Sequence, residues 1–130
     1  MTTSPDLLAP QQARGDVMDA QCPSRALLRH ATSQWGVLIL TVLRRGTLRY
    51  SEIKHSINGI SEKMLAQTLR TLESDGFIAR TVHPVVPPHV DYQLTAAGKE
   101  VAYRIADLVD WMETHLSELL ASKASSSEVG

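Results

Sequence analysis

The chain has 130 residues, of which 43% are hydrophobic, 21% are charged and one is a cysteine, and its formal net charge is −1. This length supports one small domain with a modest core, and a single cysteine excludes an intrachain disulfide framework. The sequence contains no apolar run long enough to span a membrane and no N-terminal secretory signal, so we expect a cytoplasmic protein without a membrane partner.

The two ends of the chain differ in composition from its centre. Residues 1–20 and 122–130 are rich in small or polar residues and lack sustained periodicity. Such segments bury little apolar surface, so we expect two mobile tails that flank one domain over residues 21–121.

Two helices are expected at the start of the domain. Proline is favoured at the first position of a helix, which places helix one over residues 23–31. Helix two is expected over residues 34–45, with Gly46 as its stop. Its buried face is predicted to contain Trp35, Leu38, Ile39 and Val42. Trp35 is better interpreted as a core anchor than as a platform for a ligand, because large aromatic side chains dominate small cores.

The next segment has the pattern of two helices joined by a tight turn. A short helix is expected over residues 51–57, and Asn58 and Gly59 supply the turn because both tolerate positive φ. The second helix is expected to start at Ser61, whose hydroxyl oxygen can accept a hydrogen bond from an otherwise unpaired amide of the first turn. This order of helix, turn and helix is typical of DNA-binding proteins.

The helix that starts at Ser61, here called the reading helix, has two different faces. Leu65, Thr68, Leu69 and Leu72 fall on one side, and Lys63, Gln67, Arg70 and Ser74 fall on the other. Lysine and arginine suit phosphate or guanine, and glutamine can pair with adenine, so the polar face has the chemistry of a major-groove reader. On the helix alone, an ordinary solvated face is the alternative interpretation.

A β-hairpin is expected after the reading helix. Gly76 fits a C-terminal cap, residues 77–82 and 90–94 form strands, and the run HPVVPPH connects them. Its three prolines belong in the connection because they lack amide donors and fix φ. A wing of this kind commonly lies along the DNA backbone, where Arg80, His83 and His89 could meet phosphates.

A long helix capped by Thr95 is expected to follow the hairpin. Its apolar residues recur at three- and four-residue spacing: Val101, Ile105, Leu108, Met112, Leu116 and Leu119. One small domain cannot easily cover that stripe, so we assign it, with helix one, to a homodimer interface. A two-fold axis would present two reading helices to a pseudo-palindromic operator in double-stranded DNA. The alternative is that the long helix packs on its own domain.

Several of these segments together resemble the HxlR-type family of winged helix-turn-helix transcriptional regulators. The resemblance covers residue 22 to about residue 120 and is carried by the runs CPSRALL, QWGVLIL, RYSEI, GISEKMLAQTLRTLESDGFI and PVVPPHVDYQLTAAG. It implies a mainly α fold with a small β-hairpin wing, the reading helix in the major groove, the wing beside it, and dimerisation through the terminal helices.

The charge is distributed unevenly along the chain. Residues 25–80 contain nine Lys or Arg against four acidic residues, which gives +5, while residues 1–24 carry −2 and residues 81–130 carry −4. A basic central segment of this kind favours contact with a nucleic acid.

Cys22 lies at the predicted start of helix one. The helix N-terminus and Arg25, one turn away, would favour its thiolate, which is the environment of a redox sensor. Members of the HxlR-type family that respond to electrophiles or oxidants use a cysteine in this position, and Cys22 matches it by the Cys-Pro pair. The alternative is a small apolar side chain packed at the dimer interface.

Other chemistry is sparse in the sequence. The histidines are spread out, and there is no CxxC or HExxH pattern, so we expect no metal site and no cofactor. His83 and His89 could meet across the wing, but phosphate contact or exposure is the preferred interpretation. No phosphate loop, nucleophile elbow or carboxylate pair indicates an enzyme.

The sequence therefore predicts a DNA-binding transcriptional regulator, with repression preferred over activation and with control by oxidants or electrophiles through Cys22. We expect base or phosphate contacts from Ser61, Lys63, Gln67 and Arg70, and backbone contacts from Arg80, His83 and His89. One alternative is a winged-helix adaptor that binds protein. Another is a regulator whose small apolar effector lies at the dimer interface, with Cys22 inert.

Overall fold

The computed structural model describes the backbone of residues 14–129 and the side chains of residues 14–125. It is mainly α-helical, with one small antiparallel sheet, as the sequence predicts. The elements in chain order are α1 (Pro23–Thr32), α2 (Gln34–Val42), β1 (Leu48–Arg49), α3 (Tyr50–Ser56), α4 (Glu62–Ser74), β2 (Ile78–His83), β3 (His89–Leu94), α5 (Ala96–Thr114) and α6 (Leu116–Val129). Within this part of the chain, no helix combines the length and apolar character needed to cross a membrane.

Helix α2 lies at the centre of the domain and contacts α1, α4 and α5. It continues as a 3₁₀ turn over Leu43–Arg45 and ends at Gly46, whose φ of 129° suits glycine. Ile39 and Val42 are buried as predicted, but Trp35 and Leu38 are only partly buried at the edge of the core. Trp35 therefore packs against the core as predicted, but at its edge and without full burial.

Leu40 takes the central place in α2, because it is fully buried although it lies outside the predicted stripe. The reason is that neighbouring helices cover α2 on several sides. A single apolar stripe at the helical period of 3.6 residues therefore predicts fewer buried side chains than this helix has.

The helix-turn-helix is confirmed as α3, the turn and α4. Ile53, Ile57 and Ile60 are buried between the two helices and the rest of the core. Gly59 in the turn has a φ of 90°, and the Ser61 hydroxyl accepts the amide of Met64 at 3.0 Å. The turn and the N-cap thus fix where α4 begins and which way it points.

The sheet has three strands in the order β1-β3-β2, one more than the sequence analysis predicted. Strand β1 has only two residues and pairs Leu48 with Tyr92. Both wing strands reach one residue further toward the tip than predicted, since His83 and His89 pair with each other at the end of the ladder, while Phe77 lies before β2. Both histidines have backbone amides that can donate within the ladder, whereas prolines do not. The tip is therefore limited to residues 84–88, which include three prolines.

The predicted long helix is interrupted at His115, which separates α5 from α6. His115 Nδ1 lies 2.8 Å from the carbonyl of Trp111, and the Thr114 hydroxyl donates to the same carbonyl at 3.1 Å. Such side-chain contacts to the backbone compete with the helical hydrogen bonds. Beyond the break, α6 gives helical backbone to residues 122–129, which we expected to be irregular.

The first turn of α5 is attached to the turn between α4 and β2. The Thr95 hydroxyl donates to the carbonyl of Gly76 at 2.6 Å, and the Thr95 amide donates to the carbonyl of Phe77 at 3.1 Å. Gly98 is buried there, and a Cβ built on it would overlap the Phe77 carbonyl. The end of the reading helix, the start of the wing and the start of α5 therefore form one packed junction.

Of the predicted N-terminal tail, residues 1–13 lie outside the described residues. Residues 17–22 form turns that lead into α1. The Asp19 amide donates to the Asp16 carbonyl at 3.1 Å, and the Cys22 amide donates to the Asp19 carbonyl at 3.0 Å. These turns place residue 16 beside residue 22 and so bring the Asp16 amide to the Cys22 thiol.

Candidate nucleic-acid interface

The reading helix α4 has the two faces that its sequence predicts. Leu65, Leu69 and Leu72 are buried, and Lys63, Gln67 and Arg70 are exposed. Thr68 is buried among the leucines, where its hydroxyl donates to the Met64 carbonyl at 2.7 Å and so remains hydrogen-bonded. The apolar face fixes the helix to the core and leaves the polar face open to solvent.

The N-terminal end of α4 is held by Tyr50, a residue that the sequence analysis missed. The Tyr50 hydroxyl lies 2.9 Å from Oε2 of Glu62 and 3.1 Å from the Glu62 carbonyl oxygen. Both oxygens accept from its single O–H group. Partial burial and the Glu62 carboxylate raise the pKa of Tyr50, so the donor stays protonated. This contact holds the Glu62 carboxylate and orients α3 against α4, close to the exposed Ser61.

A groove runs between the reading helix and the wing. Tyr50 and Tyr92 form part of its wall, and Arg70 from α4 and Arg80 from β2 both line it. Gln67 and Arg70 line a neighbouring depression on the same helix. Three of the predicted DNA-contacting residues, Gln67, Arg70 and Arg80, are therefore brought onto one continuous surface. Ser61 and Lys63 are exposed near the other end of α4.

The wing histidines contact each other and a carboxylate. His83 and His89 stack with their ring centroids 4.5 Å apart, and His83 Nε2 lies 2.7 Å from Oδ2 of Asp91. Phosphate contact or plain exposure was the preferred interpretation, whereas the structure directs both rings toward each other and toward a carboxylate. The sequence analysis missed Asp91 as their partner. Asp91 follows His89 by two residues, so these two side chains lie on the same face of the strand.

The thiol of Cys22 is half-buried and sits among hydrogen-bond donors. The Ser24 hydroxyl donates to Sγ at 3.1 Å, and the Asp16 amide donates to it at 3.3 Å. These hydrogen bonds, that of Ser24 first, lower the pKa of the Cys22 thiol against the opposing effects of burial and of the Asp19 charge. The direction matches the sequence prediction, and the backbone amide of Ser24 supplies the expected effect of the helix N-terminus, but the side chain of Ser24 contributes most and the Arg25 charge is not among the causes.

Helix α1 connects this thiol region to the reading helix. Near the C-terminal end of α1, His30 Nδ1 lies 2.7 Å from Oδ2 of Asp75. Asp75 is the C-cap residue of α4. The helix that begins beside Cys22 thus contacts the end of the helix that carries Arg70.

Apolar side chains are exposed on the terminal helices of the single chain. On the predicted stripe of the long helix, Ile105 is buried and Val101 is half-buried against the core of the same chain. The rest of the stripe faces solvent, together with two leucines of α1: Leu27, Leu28, Leu108, Met112, Leu116 and Leu119. Packing on its own domain therefore accounts for only the first part of the stripe.

A helix-turn-helix followed by a β-hairpin, with basic and amide side chains on the exposed face of the second helix, defines a winged helix-turn-helix DNA-binding protein. The sequence profile of the HxlR-like helix-turn-helix family matches residues 31–119. The chain belongs to this family, which confirms the resemblance noted in its sequence.

Individual relatives agree with this assignment. The chain is 54% identical to the HTH-type transcriptional regulator YtfH of Escherichia coli over 114 residues, which cover 88% of this chain and 90% of that protein. The solved structure of the transcriptional regulator ytfH from Salmonella typhimurium is 51% identical, covers 85% of this chain and 99% of its own, and superposes with a TM-score of 0.81. The redox regulator HypR in its oxidized form is 30% identical, with a TM-score of 0.66 and coverage of 72% and 96%.

Proposed function

We propose that this protein is a cytoplasmic, homodimeric transcriptional repressor that binds a pseudo-palindromic operator and responds to oxidants through Cys22. The observation that carries the DNA-binding part is the continuous surface of Gln67, Arg70 and Arg80. In the proposed complex, Lys63, Gln67 and Arg70 enter the major groove, and the hydroxyl of Ser61 donates to a phosphate. Arg80 binds the flanking backbone from the wing.

The dimer is proposed from the exposed apolar residues of α1, α5 and α6. Leu108 and Met112 each expose 51% of their surface in the single chain, although they lie one turn apart on the same face of α5. Apolar patches of this kind mark surfaces that associate. A second copy of the chain, related by a two-fold axis, supplies the same patch and would place two reading helices on one side of the dimer.

Replacing Leu108 with arginine is expected to weaken the dimer by about 2 kcal/mol, or roughly thirtyfold in Kd, because a charge replaces a leucine that the proposed dimer buries. Sedimentation velocity over a concentration series measures the change. Asp110→Arg is the matched control, since residue 110 lies about 200° further round α5 and is exposed. Equal dimerisation of the two variants would exclude this face as the interface.

Several observations support Cys22 as the responsive group. Its thiol pKa is lowered by Ser24 and Asp16, and a larger thiolate fraction makes a cysteine more reactive. The related protein HypR is described as a redox regulator. Because the chain has one cysteine, a disulfide at Cys22 requires a second thiol, which can come from the partner subunit or from a small molecule.

The experiment that tests this function is fluorescence anisotropy with DNA from upstream of the protein's own gene, at several salt concentrations, before and after mild oxidation. We expect tight binding by the reduced protein, a steep loss of affinity with salt, and a further change on oxidation. Cys22→Ser should bind the same DNA and ignore the oxidant. Binding that ignores the oxidant in the unmodified protein would reject Cys22 as the sensor and favour an apolar effector at the dimer interface. No binding at low salt would favour the protein adaptor.

A further inference from the structure

Three potential metal ligands lie on one face of the wing, opposite to the face that carries Arg80. His83 on β2 is paired directly with His89 on β3, and Asp91 follows two residues after His89. His83 Nε2 lies 2.7 Å from Oδ2 of Asp91, and His89 Nε2 lies 3.9 Å from Oδ1. One donor atom from each side chain can be chosen so that all three lie within 4.8 Å of one another.

We propose that His83, His89 and Asp91 form a binding site for a divalent transition-metal ion such as Zn²⁺. Two imidazole nitrogens and one carboxylate oxygen suit Zn²⁺ and its neighbours in the first transition series. Ligand atoms around a tetrahedral Zn²⁺ lie about 2.0 to 2.2 Å from the ion, and therefore about 3.3 Å from each other. The two nitrogen-to-oxygen distances in the cluster lie on either side of this value, and the stacked imidazole rings, inclined by 23°, must rotate before both nitrogens face one ion.

The backbone already fixes the positions of the three side chains. All three lie within the hydrogen-bonded ladder rather than in the tip, and directly paired residues have Cβ atoms about 4.5 to 5.5 Å apart. The side chains of His83, His89 and Asp91 remain 40%, 27% and 23% exposed. They are thus close enough to share an ion and open enough for an ion to enter.

The ligand set also indicates which ions are disfavoured. Mg²⁺ and Ca²⁺ prefer six or more oxygen ligands, and this cluster offers one carboxylate. Three protein ligands leave one position of a tetrahedral ion open to water or to an external oxygen. An ion held by His83 and Asp91 would take the place of their mutual contact, and the carboxylate would neutralise part of the ionic charge.

The test is a zinc titration of the full chain, prepared without a histidine tag, in competition with a chromophoric chelator. The background variant Cys22→Ser removes the thiol as a competing ligand. We expect one Zn²⁺ per chain in the cluster, and affinity at least about tenfold lower in each of His83→Gln, His89→Gln and Asp91→Asn. Mg²⁺ should not displace the zinc.

His55→Gln is the matched control, because His55 is exposed on α3 and outside the cluster. Circular dichroism of every variant verifies that the fold is retained. Imidazole NMR signals provide a second readout, in which zinc should perturb His83 and His89 and leave His55 unchanged. Zinc affinity that survives both His83→Gln and Asp91→Asn, or a perturbation that spreads equally over all the histidines, would overturn the proposal. The measurement uses no DNA, so its failure is separate from failure of the proposed function.

Discussion

Replacing Gly98 with alanine is expected to reduce the free energy of unfolding by about 3 kcal/mol or more, the largest effect expected of a single methyl group in this chain. The added Cβ would overlap the Phe77 carbonyl, which cannot rotate away as a flexible side chain could. That carbonyl also accepts the Thr95 amide, so moving it breaks the contact between α5 and the wing. Urea unfolding monitored by circular dichroism measures the change.

Ala97→Ser is the matched control for this substitution. Residue 97 is adjacent to Gly98 but exposed, so an added atom meets solvent and stability should change by less than about 0.5 kcal/mol. Both variants should be compared at one protein concentration, since association would add to the apparent stability. A Gly98→Ala variant as stable as the control would mean that α5 and the wing are further apart than the structure shows.

Replacing Arg70 with alanine is expected to weaken operator binding by about 1 to 3 kcal/mol, which corresponds to roughly 5- to 150-fold in Kd. The Arg70 side chain lies between the reading helix and the wing, where its guanidinium can make two hydrogen bonds to a guanine. It is exposed, so its removal should not affect folding. Anisotropy titrations with operator DNA and with a scrambled duplex provide the measurement.

The scrambled duplex separates base reading from phosphate contact. Arg70→Ala should lose affinity mainly for the operator, whereas Arg80→Ala, which removes a proposed backbone contact, should weaken binding to both duplexes and reduce the salt slope by about one. Arg104→Ala, on the exposed side of α5, is the control that should change neither. Undiminished operator affinity of Arg70→Ala would remove this residue from the proposed reading surface.

The helix-turn-helix could be predicted from the sequence because its signals are local. Ser61, Gly76 and Thr95 each end or begin an element through their own backbone or side-chain chemistry, and the leucines of α4 repeat at helical spacing. Strand β1 could not be predicted in this way. It has two residues and exists through pairing with Asp91 and Tyr92, about forty positions later in the chain.

In the candidate site, too, the features with local signals could be predicted and those that depend on distant residues could not. Exposure of Lys63, Gln67 and Arg70 follows from the period of one helix. The contact of His83 and His89 with Asp91 depends on the register of the hairpin, which the run of prolines did not define. The surroundings of Cys22 depend on turns that bring Asp16 back to the thiol, and irregular turns leave a weaker pattern in a sequence than helices do.

Through the contact between His30 and Asp75, α1 links the Cys22 thiol to the C-terminal end of the reading helix. Its ten residues span about 15 Å, with the thiol at one end and the cap of the reading helix at the other. For a helix of that length, a tilt of about 4° about one end moves the other end by about 1 Å. Hydrogen bonds to base edges weaken steeply over such a displacement. In the proposed thiol response, a small rotation of α1 would carry a change at Cys22 to the C-terminal end of the reading helix.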